Sequence, residues 1–599
     1  MGARGFLPSS PAWSGPVSRG DGVEIYSGVP VSPGIAIGEA YLLETEERMV
    51  PHRPIEPDGV PVELERFAVA VTQAQAELAV LRDEAGLHAE IDAIFSAHDM
   101  LLADPTLRAE VEQFVRQRLV SAEYAVAQVF DALVQRFERL DEQYFAQRAS
   151  DIRDIERRLL RALLGDRQRQ LAVHGSACII AAHDLTPSQT ASLDRDRVLG
   201  FLTDVGGPTS HTAIVARAIG LPAVVGLTDI TSRISDGSML IVDGHIGQVI
   251  VDPDPAQLER YRQRSHRYVQ HLADLKAIRS FPAETIDGHG ITLMGNIETP
   301  DDIDEILESG GDGVGLFRTE FLFQPGKPAP TEEDHLEAYV SALRKLAGRP
   351  LVIRTLDFGA DKFTPDAAAQ AEPNPFLGSR SIRLCLERPS LFMPQLRAIL
   401  RARSFGDVRC LFPMISSIQE LRRAKDMLEK AGVALRNEGH FVDPKLPIGA
   451  MIEIPSAAIV ADQLIEEVDF FSIGTNDLVQ YCLAVDRGNE RVAHLYQPAH
   501  PALLRLIRSV VRVARNSGKE VSLCGEMAGD VFYTVLLIGM GIRQLSMPPR
   551  ALPEIKRVVR NLSVEQANEA AEWCATAGDA EQVQARLREI VDELVPDSY

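Results

Sequence analysis

The sequence predicts a multidomain α/β protein whose C-terminal half is a (β/α)8 barrel. Three observations carry that prediction. Eight short apolar runs, at residues 291–297, 313–317, 351–356, 408–414, 448–454, 470–474, 521–523 and 544–547, alternate with helical stretches. Eight strand–helix units in roughly 300 residues fit one closed barrel. Between about 177 and 253, shorter apolar runs separated by turn residues flank one helical segment, as in a small α/β domain. Between about 60 and 165 only helical periodicity is visible.

In chain order, residues 1–24 are rich in Gly, Pro and Ser and lack the apolar core of a signal peptide, so they are expected to form a disordered extension. Residues 25–48 read as a short β start with a turn at Ser32-Pro33-Gly34. Residues 49–169 read as helices. Asp104 is placed to cap a helix with Pro105 at its first position, and Leu107, Val111, Phe114 and Val115 follow at helical spacing. Val126, Val129, Phe130, Leu133, Phe137 and Leu140 form a second apolar stripe. A bundle core explains both stripes, and nothing in this region carries chemistry. Residues 170–253 form the α/β part, with runs at 178–182, 198–203, 223–226, 239–243 and 249–252. Residues 254–283 read as a linker helix, free of Gly and Pro from 256 to 280. The barrel takes 284–599.

Composition narrows the function. With 45% hydrophobic and 25% charged residues among 599, the chain is an ordinary globular one. A net charge of −23 argues against nonspecific nucleic-acid binding and is compatible with a basic protein partner. The six cysteines are scattered at 178, 385, 410, 482, 524 and 574 without a CxxC pair, which suits a reducing cytoplasm. No apolar run approaches the length of a membrane span, so no direct membrane insertion is expected.

Two motifs point to chemistry. Gly206-Gly207-Pro208-Thr209-Ser210-His211 lies between a strand-like run and a helical segment. Paired glycines allow a tight turn, and Thr209 and Ser210 are good caps. His211 would then open a helix, where the dipole favours an anion such as phosphate and disfavours an imidazolium. That suits a histidine that becomes phosphorylated, although most of the 14 histidines need no such role. The second motif is spread over the barrel. Arg318 ends the second apolar run, Arg354 lies late in the third with Asp357 after it, and Glu453 lies late in the fifth. Asn476-Asp477 follow the sixth and Cys524 ends the seventh. In a barrel these share the C-terminal face, where active sites form. Arg318 and Arg354, with Arg487 and Arg380, make an anion clamp. Glu453 and Asp477 supply the oxygens of a usual Mg²⁺ site, and Cys524 is placed to donate a proton. A small substrate bearing phosphate and carboxylate fits this set.

These residues sit in the stretches SPGIAIGEA, DLTPSQTASLD, GGPTSHTAIVARAIGLPAVVG, GVGLFRTEFLF, VIRTLDFGADK, NPFLGSRSIR, IEIPSA, FSIGTNDLVQYCLAVDRGN and LCGEMAGD. In order and spacing the chain resembles the enzyme I family of the bacterial phosphotransferase system from about Val23 to its end. The resemblance implies a helical carrier-docking domain (49–169) inserted in a swivelling phosphohistidine domain (25–48 and 170–253), followed by the barrel. It implies that His211 takes a phosphoryl group on Nε2 and that Arg318, Arg354, Asn476, Asp477 and Arg487 bind phosphoenolpyruvate, with Arg380 in a matching motif. It further implies that Glu453 and Asp477 hold Mg²⁺ and that Cys524 protonates the enolate to pyruvate. Asp357, Asp361 and Lys362 belong to the same pattern as supporting residues. The implied partners are the phosphocarrier HPr and a second copy of the chain, bound through the barrel. Two positions depart from the family pattern. Pro208 stands where many members carry arginine, and Ser379 replaces a larger aromatic residue. The short stretch ahead of the first domain favours the sugar-uptake branch over the nitrogen-regulatory one, and the absence of a Gly-rich phosphate loop argues against ATP dependence.

Overall fold

The computed structural model describes residues 19–20, 23–43, 50–84, 89–138, 143–164, 177–185, 197–207, 210–323, 328–358, 374–487, 489 and 491–596. The chain divides into two compact units, Met1–Val269 and Gln270–Ser598.

In the first unit, strand Ile35–Leu43 is central. It pairs parallel with Cys178–Ala182, with Glu39 opposite Cys178, and antiparallel with Met239–Asp243. Residues on both sides of the helical segment therefore build one sheet. Cys178–Ala182 is buried throughout and Val198–Thr203 nearly so, the reason these strands read as unbroken apolar runs. Alternate side chains supply two cores. Ile179, Ala181, Leu202 and Val242 pack on one face. Ile180, Phe201 and Val225 pack on the other against Ala213 and Ala216 of the helix His211–Ile219. The sheet also reaches back further than expected. Arg19–Gly20 pairs with Val23–Ser27, which pairs in turn with Gln248–Val251. The last residues of the expected 1–24 extension are thus strand, because Val23–Ser27 has an edge to pair with.

The helical segment comprises Val60–Glu84, Ala89–Ala103, Pro105–Arg118, Ala122–Glu138 and Gln143–Leu164. Asp104 caps the third of these by accepting from Thr106 N at 2.7 Å, with Pro105 at the first position. Val111, Val115, Val126 and Phe130 fall in its core, joined by Val215 of the helix His211–Ile219. Phe137 and Leu140, the end of the second stripe, lie outside the residues whose side chains are described.

In the second unit, eight parallel strands close into a barrel. They are Thr292–Ile297, Val314–Phe317, Leu351–Arg354, Val408–Phe412, Ile448–Ile452, Phe470–Ile473, Glu520–Leu523 and Gln544–Met547. Leu316, Val352, Leu411, Met451, Phe470 and Cys524 cluster together, and a much larger core joins strands to the outer helices. Several strands stop one or two residues short of the apolar run. After Val408–Phe412 the backbone turns at Met414 into the left-handed region (φ 53°), and Glu453 takes its N–H. Residues at these ends have left the ladder to form the barrel mouth. The predicted linker helix is Pro255–Ile278. Among the described residues, no helix is long and apolar enough to cross a membrane.

Candidate active site

Parallel strands in register bring the C-terminal ends of the barrel together. Leu411 pairs with Arg354, Ile452 with Ile473, and Ile473 with Leu523. Arg318, Arg354, Asp357, Glu453, Asn476, Asp477 and Cys524 stand at or just beyond such an end, whereas Arg380 and Arg487 come from the segments that follow the third and sixth strands.

Arg354 is the hub. One guanidinium nitrogen lies 2.7 Å from Asp357 Oδ2, and another donates to Glu320 Oε1 at 3.1 Å. Asp357 also accepts from Arg380 at 3.1 Å, and Arg380 reaches Tyr481 Oη at 3.4 Å while its cation lies over the Phe376 ring. Burial opposes the charge on Arg354, but Glu320, Asp357 and Glu453 surround it and raise its pKa. Burial alone would raise Asp357, yet Arg354 and Arg380 bring its carboxyl below the usual value. Arg354 Nε is buried without a hydrogen-bond partner among the described residues, as is Thr475 Oγ1. Unsatisfied buried donors are uncommon and suit a site completed by an anion. Arg318 is more exposed and pairs with Glu298 at 3.1 Å. Arg487 lies 3.7 Å from Glu526 Oε1, and that same oxygen accepts from Asn476 Nδ2 at 3.0 Å. Glu526 N returns a hydrogen bond to Asn476 Oδ1 at 2.8 Å.

Glu453 is 2% exposed, and its Oε1 accepts from Met414 N at 2.6 Å. Burial pushes its carboxyl well above the usual range, and the negative charges of Asp357 and Asp477 add to that. Asp477 is raised for the same reasons, burial first and Asp357 second, against Arg380 and Arg487. A buried and a half-buried carboxylate, both raised by burial and by the charge of Asp357, are a fit for a divalent cation, which would favour both charged forms. Among the described residues no cluster of three or more such ligands occurs, so a cation here would draw its other oxygens from substrate and water.

Cys524 directly follows the seventh strand and is 3% exposed. Its sulfur accepts from Ser472 Oγ at 3.2 Å, and Asn296 donates to its carbonyl at 3.1 Å. Burial pushes the thiol up. Glu453 adds to this, while the Ser472 hydrogen bond, Arg354 and Arg318 oppose it. A neutral thiol at neutral pH follows. The next residue is Gly525, where a Cβ would fall 1.9 Å from Thr475 Oγ1, so only glycine lets the sixth and seventh strand ends approach this closely.

The structure thus gathers Arg318, Arg354, Asp357, Arg380, Glu453, Asp477 and Cys524 into one set of mutually interacting groups, with Asn476 and Arg487 joined through Glu526. Sequence reasoning missed their partners Glu320, Tyr481, Ser472 and Glu526. Glu320 stands two residues after Arg318, and Glu526 two after Cys524, each inside a stretch that carries the family resemblance. Asp361 and Lys362 lie outside the described residues. Ser379 donates to Glu387 at 2.7 Å.

In the other unit, His211 is the first residue of its helix. Ser210 caps it by accepting from Ala213 N at 3.2 Å, and Gly206 takes φ 118°, a value glycine tolerates. Pro208 and Thr209 lie outside the described residues.

Three family profiles match in order: PEP-utilising enzyme, N-terminal (27–148); PEP-utilising enzyme, mobile domain (175–247); and PEP-utilising enzyme, PEP-binding domain (272–564). The phosphoenolpyruvate-protein phosphotransferase of Staphylococcus carnosus is 40% identical over 558 residues, 93% of this chain and 97% of the relative. That of Bacillus subtilis is 41% identical over 564 residues, 94% of this chain and 99% of the relative. An NMR solution structure of an Enzyme I protein (nEIt) is 40% identical, spanning 41% of this chain and 99% of that one, with a TM-score of 0.35. A mobile domain followed by a barrel that matches the PEP-binding domain defines a PEP-utilising enzyme. The chain belongs to the phosphoenolpyruvate–protein phosphotransferase family.

Proposed function

We propose that the chain moves the phosphoryl group of phosphoenolpyruvate onto His211 and then onto a histidine of the phosphocarrier HPr, releasing pyruvate as the first step of phosphotransferase-system sugar uptake. The observation that carries this reading is the meeting of Arg354, Glu453 and the buried Cys524 thiol at one barrel mouth.

Arg318, Arg354 and Arg487 bind the phosphate and carboxylate, with Asn476 and Asp477 beside them and Arg380 completing the wall. Glu453 and Asp477 would hold Mg²⁺, which when bound neutralises charge on the phosphate oxygens. The P–O bond of phosphoenolpyruvate breaks as a bond forms from phosphorus to His211 Nε2. The enolate left behind takes the Cys524 Sγ proton on its methylene carbon, giving pyruvate, and solvent reprotonates the sulfur. Burial keeps water from competing at the sulfur. A covalent phosphohistidine splits one transfer into two, so His211 serves the barrel and then the carrier. The helical segment, whose core includes Val215 of the His211 helix, is the docking surface assigned to the carrier. A homodimer through the barrel and a cytoplasmic location complete the proposal. All six cysteines are free, which supports a reducing compartment.

The test is labelling with ³²P-phosphoenolpyruvate and Mg²⁺, for wild type and His211→Ala, followed by HPr or the nitrogen-type carrier. Acid-labile label on wild type alone, passed to HPr, is the expected result. Label passed only to the nitrogen-type carrier would move the protein to the regulatory branch. Absence of label would overturn the reaction.

A further inference from the structure

The barrel mouth is held from behind by a side chain that does not reach it. Gln395 lies in the helix Pro389–Ala402, outside the strands, and is 1% exposed. Its Oε1 accepts from Leu356 N at 3.0 Å. Its Nε2 donates to Thr319 Oγ1 at 2.9 Å and to Tyr339 Oη at 3.3 Å. Thr319 Oγ1 in turn donates to the carbonyl of Arg354 at 3.1 Å. Thr319, Leu356 and Tyr339 are buried as well.

One arrangement of protons satisfies all these atoms. Leu356 N–H can only donate, so the amide must turn its oxygen toward it, which aims both of its N–H bonds at the two hydroxyls. Thr319 then has its own proton left for Arg354 O. Tyr339 has its proton left for His335 Nδ1, 3.2 Å away. Both amide protons of Gln395 are used, and no other side chain of this length accepts once and donates twice.

The atoms so tied flank the site. Arg354 O and Leu356 N belong to successive peptides at the exit of the third strand, Leu351–Arg354. Arg354 and Asp357, on either side of them, pair at 2.7 Å. Thr319 is followed by Glu320, whose Oε1 accepts from Arg354 Nη2 at 3.1 Å and from Asp357 N at 2.9 Å. Thr319 and Glu320 thus grip Arg354 at its carbonyl and at its guanidinium, and Gln395 grips Thr319.

We infer that Gln395 is a positioning residue for the phosphoenolpyruvate site: its amide sets the backbone from Arg354 to Asp357 against Thr319, and so orients the Arg354 guanidinium. The inference rests on the reading that Arg354 binds the substrate. Gln395 itself, buried behind the strands, touches no substrate. A planar arginine fork binds an anion best when it is already oriented, and a misplacement of about 1 Å caused far from the chemistry can cost about 10²-fold.

A merely structural role in the core would lower stability and leave affinity alone, so three variants separate the two. Gln395→Met keeps length and volume and removes all three hydrogen bonds. Thr319→Val keeps shape and removes the link between Gln395 and Arg354 O. Tyr339→Phe removes the branch of the same network that leads away from the mouth, to His335. Each is made in full-length protein carrying His211→Ala, so that no phosphoryl transfer accompanies binding. The measurements are the dissociation constant of phosphoenolpyruvate with Mg²⁺, by calorimetry, and the urea midpoint. Gln395→Met and Thr319→Val are each expected to weaken binding about five- to tenfold, the worth of roughly one hydrogen bond. The double variant should bind no more weakly than the weaker single one, because both break one chain. Tyr339→Phe should lower the urea midpoint and bind as the parent does. Parent-like binding by Gln395→Met and Thr319→Val, or equal weakening in Tyr339→Phe, would overturn this inference alone. If Gln395→Met does not fold, the comparison of Thr319→Val with Tyr339→Phe decides it. A parent that binds no phosphoenolpyruvate would overturn the proposed function as well.

Discussion

Ser472 Oγ donates a hydrogen bond to Cys524 Sγ across 3.2 Å, from the sixth barrel strand to the seventh. The bond holds the sulfur of a residue that is otherwise enclosed by apolar neighbours. It also opposes, in part, the effect of burial on the thiol. Ser472→Ala is therefore expected to move ionisation of Cys524 to higher pH. Alkylation of the Cys524 peptide by iodoacetamide, followed by mass spectrometry across pH, measures this. The wild-type inflection should lie above the ordinary thiol range and the variant's higher still. A downward move would contradict the assigned role of Ser472.

Replacing the sulfur itself tests the proton-donor role. Cys524→Ala is expected to slow pyruvate formation about 10²- to 10⁴-fold, the usual worth of a positioned acid. Binding of phosphoenolpyruvate, read by calorimetry, should change far less. A matched loss of both would mean that Cys524 shapes the pocket and does not donate the proton.

Arg354 neutralises carboxylates as well as facing the mouth. Arg354→Ala leaves Asp357 and Glu320 without it, and breaking a buried pair from one side costs about 3–5 kcal/mol. Urea unfolding followed by Trp573 fluorescence, in a Trp13→Phe background, should show that loss. Arg354→Lys should recover part of the stability but little of the substrate affinity, because an ammonium lacks the planar fork.

His335 gives the barrel unit an acid-sensitive point. It is fully buried, and Tyr339 Oη lies 3.2 Å from its Nδ1. Burial lowers its pKa to about 4 from an ordinary 6.5, with Asp334 opposing. The unfolded chain binds the proton more readily, so the stability carried by the neutral ring is full above about pH 6.5 and is lost as pH falls toward 4. Between pH 7.5 and 5 the loss amounts to about 2 kcal/mol. His335→Gln should flatten the urea midpoint over that interval. An unchanged pH slope would show that the ring is not held neutral.

Glu453 and Asp477 are expected to make the barrel respond to Mg²⁺. The ion should raise the wild-type melting temperature, and EDTA should reverse the rise. Glu453→Gln should abolish the response. A full response in that variant would place the ion elsewhere.

All eight barrel strands were legible because each is a continuous apolar run bounded by turn residues, and burial on both faces writes that pattern directly. Arg354, Glu453, Asp477 and Cys524 were legible for a related reason: a charged or reactive residue closing such a run is conspicuous. Asp357 was legible beside Arg354, but the partners Glu320 and Glu526 were not. Glu320 reaches Arg354, and Glu526 reaches Asn476, through side chains whose meeting is set by barrel closure, which no local period records. The contact of His183 Nδ1 with Asp204 Oδ2, 3.1 Å apart at the ends of the paired strands Cys178–Ala182 and Val198–Thr203, was hidden in the same way. The start of the first sheet was missed because Val23–Ser27 becomes a strand only when Gln248–Val251 lies beside it, more than 200 residues later.

The parallel pairing of Ile35–Leu43 with Cys178–Ala182 fixes an order of assembly. Everything from the end of one strand to the start of the other, the whole helical segment included, must be made before the pair can form. During synthesis Ile35–Leu43 leaves the ribosome long before its parallel neighbour, and closing a loop of that length is favourable only once the intervening chain has collapsed. The helices between the two strands supply most of the core that collapses first, with Val215 of the later helix His211–Ile219 added to it afterwards. The sheet against which the His211 helix packs is therefore the last part of the first unit to close, and a mutation that slows folding of the bundle would delay completion of the proposed phosphoryl acceptor without touching any residue near it.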